Sequence, residues 1–97
     1  MEANLPFELH SHGGGGFIVF EVGEAVALPM IALTKAILRG SAEAQEIVLD
    51  FEAHIVLIEG AGLADLFGHL IGGRMKAIRS GKHGACAVKK VHLSETV

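Results

Sequence analysis

Two apolar runs, "EIVLDFE" at 46–52 and "HIVLIEG" at 54–60, are separated only by Ala53. In the first, Ile47, Leu49 and Phe51 alternate with Glu46, Val48, Asp50 and Glu52, which is the two-residue period of a strand. So short a join allows only a hairpin, so the pair is antiparallel. The polar stretch "SAEAQ" at 41–45 supplies the turn before it, and "TKAILRG" at 34–40 precedes that turn. Strands recurring at this spacing with polar turns between them describe an antiparallel meander.

The stretch "VALPMIALTKAILRGS" at 26–41 has two readings. One is a helix opened by Pro29 and closed by Gly40, with Ile31, Thr34 and Leu38 on one face. The other is a single turn at "LPMIA" followed by a strand at "TKAILRG". The second is preferred, because Pro29 holds Leu28 extended and a hairpin partner follows at once. Near the N-terminus, "LPFELH" sets Leu5, Phe7 and Leu9 against Glu8 and His10, a short strand. "GFIVFEVG" is apolar and β-branched up to Gly23. The glycine-rich "HSHGGGGF" at 10–17 is expected to join these two as a hairpin loop.

One helix stands out, in "AGLADLFGHLIGG". Leu63, Leu66, Phe67, Leu70 and Ile71 recur at helical spacing as one stripe, and Gly72 and Gly73 stop it. "RMKAIRSG" then reads as a last strand. The expected fold class is α+β: an antiparallel, strongly twisted or barrel-like sheet, a β-meander, with one amphipathic helix at 62–72 near the C-terminus. A single small β-rich domain is expected over 1–80, with a basic loop and tail over 81–97.

Ninety-seven residues bound one domain. An apolar fraction of 51% against 20% charged fits a globular chain. So apolar a composition on so small a chain leaves apolar surface over, which favours a homo-oligomer. The absence of Trp and Tyr leaves few platforms for stacking bases. The single cysteine, Cys86, excludes an internal disulfide. "MEANLPFELH" has no positive n-region, and the run "AVALPMIAL" is too short to span a membrane. A cytoplasmic protein with no membrane segment is expected. Charge is uneven: residues 1–73 hold ten acids and only Lys35 and Arg39 as bases, whereas 74–90 hold Arg74, Lys76, Arg79, Lys82, Lys89 and Lys90 and no acid. That segment is a candidate contact patch for another subunit or, less readily, for nucleic acid.

Several motifs invite a chemical reading. "GAGLAD" after a strand resembles a dinucleotide fingerprint, but Asp65 occupies the third glycine position and no acid follows before Glu95. The plainer reading is a tight strand-to-helix turn. "GGGG" leads into a strand and lacks the Gly-Lys-Ser/Thr ending of a phosphate loop. His10 and His12, two apart on a strand, would lie ~7 Å apart and could share a metal with a third ligand such as His54 or Glu52. With no HExxH and no CxxC, no native metal site and no cofactor are expected. His83 and Cys86 lack a visible third group for nucleophilic catalysis. Asp65 and His69 read as an exposed pair one helical turn apart. Small residues Ala61, Ala64, Gly68 and Gly72 form a line beside the apolar stripe, a candidate interface between helices of two copies.

The succession "LPMIALTKAILRG…EIVLDFE…HIVLIEGAGLADLFGHL", within residues 26–79, resembles small bacterial β-domains of unknown function, either PH-like or Sm-like small barrels. A PH-like likeness implies an assembly or ligand-docking module without catalytic chemistry. An Sm-like likeness implies a ring and RNA binding. The expected function is a non-catalytic, self-assembling interaction module. The alternatives are a weak RNA- or DNA-binding ring protein and a histidine metal-binding protein.

Overall fold

In the computed structural model the meander forms as β4 (Lys35–Ser41), β5 (Ala44–Asp50) and β6 (His54–Ala61), three consecutive antiparallel neighbours. The structure describes residues 5–11, 16–41 and 43–95. At the β5–β6 turn the Phe51 N–H donates to the His54 carbonyl at 2.8 Å, and Glu52 adopts φ 65° to make so tight a reversal. Of "LPMIA", Leu28 and Pro29 end a strand and Met30–Ala32 form one turn of 3-10 helix. Before it lie β1 (Phe7–Leu9), β2 (Phe17–Glu21) and β3 (Ala25–Pro29). After β6 come the helix α1 (Ala64–Ile71), β7 (Met75–Ile78), β8 (Gly81–His83) and β9 (Cys86–Glu95).

The strands form two sheets, in the orders β1-β7-β2-β3 and β4-β5-β6-β9-β8, and do not close into a barrel. The molecule is α+β and largely antiparallel. The β2–β7 pair is parallel. Alternation explains the core between the sheets: Ile18 and Phe20 of β2 and Ile78 of β7 are buried together with Ile47, Leu49, Val56 and Ile58 of the meander. Phe20 meets Phe51 edge-on, with ring centres 5.7 Å apart. Leu63, Leu66 and Leu70 close the same cluster from the helix.

The helix ends as its glycines require. Gly73 takes φ 77°, its N–H donates to the Leu70 carbonyl, and the Arg74 N–H reaches back to that of His69, both at 3.1 Å. The apolar stripe is narrower than the spacing implied: Ile71, at the helix end, is 61% exposed.

Three expectations are corrected. The first two strands are not a hairpin, because β7 lies between β1 and β2. Alternation identifies a strand without naming its partner. β7 buries Met75, Ala77 and Ile78, and it needs neighbours on both sides. The join at 12–15 lies outside the described residues. Strand β3 was folded into the ambiguous stretch and not foreseen; it is the true partner of β2. Finally, 81–95 is not a loop and tail. β8 and β9 form a hairpin, and β9 runs along β6 from Glu95 to Ala87. The helix is therefore followed by three strands.

Candidate assembly face

The register of the five-stranded sheet sets out its outer face row by row. Ile47, Leu49, Val56 and Ile58 point into the core, so the residues between them point out. One outward row is Ile37, Val48, Leu57 and His92 on β4, β5, β6 and β9. The row on one side is Lys35, Asp50, Ile55 and Ser94; the row on the other is Arg39, Glu46, Glu59 and Lys90. Ile37, Val48, Ile55 and Leu57 are half-buried and lie outside the core cluster. An apolar stripe across three neighbouring strands is thus bordered by charge. Its polar border is partly paired: Arg39 Nε donates to Glu46 Oε1 at 2.9 Å, and His92 Nε2 lies 3.3 Å from Glu59 Oε2. Glu46 and Glu59 face each other directly across the strands, and like charges so placed repel. A bay of about 220 Å³ opens beside them, lined also by Gly40, Gln45 and Lys89.

The sequence held a sign of this face. "IVL" in β5 and "IVLI" in β6 are apolar without interruption, the pattern of strands covered on both sides. The alternation of Ile47, Leu49 and Phe51 captured only the half that enters the core.

The foreseen basic segment is divided between the sheets. Arg74, Lys76 and Arg79 belong with the four-stranded sheet, and Lys82, Lys89 and Lys90 with the five-stranded one. Arg79, just past the end of β7, joins its neighbours. Its guanidinium lies 2.5 Å from Glu8 Oε2 on β1 and 3.0 Å from Glu21 Oε2 on β2, and Nη1 donates to the Leu5 carbonyl at 3.3 Å. The hydrogen bond from Arg79, reinforced by its charge, holds the Glu8 carboxyl below its usual range, and the two carboxylates raise Arg79. An open cleft of about 430 Å³ lies beside this cluster, lined by Glu21, Gly23, Glu24, Ala25, Arg79 and Ser80. Arg74 meets the ring of His69, its Nη2 lying 3.2 Å from Nδ1.

His10 follows β1, and its Nε2 is buried with no hydrogen-bond partner among the described residues. His54 opens β6 in the other sheet; His12 lies outside the described residues. Among the described residues no three His, Cys, Asp or Glu side chains gather as a metal site. Cys86 is buried, and that burial, with the nearby charge of Asp65, raises its thiol above the ordinary value. Of the small-residue line, Ala61 ends β6 and only Ala64 and Gly68 lie in α1, with Gly72 as its C-cap. A side chain at Gly68 would meet open space. In "GAGLAD", a Cβ at Gly60 would overlap the Ala87 carbonyl, and one at Gly62, at φ 63°, that of Ala85. These glycines admit the start of β9.

Comparison with protein-family models, with curated proteins and with solved structures returns no match. Among the described residues no helix is long and apolar enough to cross a membrane.

Proposed function

We propose that this protein is a non-catalytic self-assembly module whose copies pack through the outer face of the five-stranded sheet. The observation that carries the reading is the row Ile37, Val48 and Leu57, apolar, pointing outward and separate from the core. Antiparallel sheets exposed on one side alternate to polar residues there; this one does so in its flanking rows but places Ile37, Val48 and Leu57 side by side in the middle one, with Ile55 next to them. In an isologous contact the same patch meets itself, so an apolar stripe meets an apolar stripe while charged rows stay at the rim. Seven residues along each of four strands give a face of roughly 19 by 24 Å. The accessible area of a face studded with side chains exceeds that projection, and a standard interface takes about 800 Å² from each partner.

Nucleic-acid binding has less support. The cations are spread over two sheets, and Arg79 is already engaged by two carboxylates. The setting that goes with this reading is the cytoplasm, where a lone thiol such as Cys86 stays reduced.

The test is the paired substitution Val48→Lys and Leu57→Lys. Both residues lie outside the core, so the variant is expected to keep a cooperative melting transition while its mass in solution falls to a single chain, 10.2 kDa. An oligomer that persists unchanged in the folded variant overturns the assignment to this face.

A further inference from the structure

We propose that β4 pairs antiparallel with the β4 of a second copy across a two-fold axis, joining two five-stranded sheets edge to edge. The inference rests on the self-assembly reading and adds a second contact to it. Its starting point is the backbone. β4 bounds its sheet, and β5 is its strand partner among the described residues. Alternate N–H and C=O groups along the other side of such a strand have no ladder to enter. Only an extended chain satisfies them in series, so the chemistry of the edge names the kind of occupant.

The other sheet margins carry more of the devices that discourage pairing than β4, whose own are Lys35, Arg39 and the positive φ of Gly40 near its end. β1 has three residues and an irregular register against β7. β3 ends in Pro29. β8 has three residues, and the length of β9 beyond it carries Lys89, Lys90, His92 and Glu95. β4 has seven residues, no proline and an uninterrupted register with β5. Its centre, Ala36, Ile37 and Leu38, is uncharged.

A second copy of the same strand fits this edge. With the axis at Leu38, each Leu38 faces its counterpart, Ile37 faces Arg39, and Lys35 faces Ser41 of the other copy. No two like charges stand directly opposite. Pairing with the open side of β9 instead would set Lys35 and Arg39 against a strand bearing two lysines.

Hydrogen exchange of the full chain, read at peptides covering 34–41 at low and high micromolar concentration beside light scattering, tests the pairing. Edge pairing predicts that the β4 amides directed away from β5 exchange about tenfold more slowly in the concentrated, assembled sample. A face-to-face contact leaves these amides open. If the protein assembles and β4 exchanges equally at both concentrations, the edge contact is overturned while self-assembly stands. If it stays a single chain at both, the two fall together.

Discussion

Glycines show how differently one residue type is used in this chain. Gly60 and Gly62 are needed because the carbonyls of Ala87 and Ala85 occupy the space where side chains would go. Gly68 has open space around its Cα and sits inside α1. Gly60→Ala is therefore expected to cost about 2–3 kcal/mol, since β9 must shift to admit one methyl group. Gly68→Ala is expected to stabilise by up to about 1 kcal/mol, the propensity difference within a helix. Thermal melts of the two variants check this, and a destabilised Gly68→Ala would show that something in solution packs against that position. The sequence marked Gly60 and Gly62 as turn residues but not their cause. Their neighbour is β9, some 25 residues downstream, and spacing alone does not reveal a contact so distant in the chain.

Elements read well where they are local and poorly where partners are remote. β4, β5, β6 and the helix were legible because hairpins and helical stripes leave their period in adjacent residues. β9 was not, because "CAVKKVHLSE" breaks the alternation at Lys89 and Lys90, where the register against β6 also shifts between Glu59 and Gly60. Its role is nevertheless central, for it lies between β6 and β8. Removing residues 81–97, which a dispensable tail would survive, is expected to abolish cooperative unfolding by circular dichroism. Retention of a sharp transition would show that β9 is not integral to the fold. In the four-stranded sheet Arg79 ties β1 to β2 across the end of β7. Because the Glu8 carboxyl is held low, its contribution is complete above the ordinary carboxylate range and is lost as pH falls through its depressed folded-state value. The melting temperature of the wild type should fall in acid, and Glu8→Gln should flatten that fall while lowering stability near neutrality. An identical acid profile in Glu8→Gln would remove this pair from the account.

At the scale of the molecule, one side of the five-stranded sheet is covered by the other sheet and the helix, and its outer side presents Ile37, Val48, Ile55 and Leu57. The composition pointed to assembly without locating it, because the small-residue line that drew attention is divided between β6 and α1. Two apolar faces per strand were already written in "IVL" and "IVLI", but only the register showed that Ile37, Val48 and Leu57 fall in one row with Ile55 beside it. Sedimentation equilibrium of the unmodified protein across the micromolar range addresses the central claim most directly. The account predicts a mass that rises with concentration to at least twice 10.2 kDa. A mass of one chain at every concentration would contradict it.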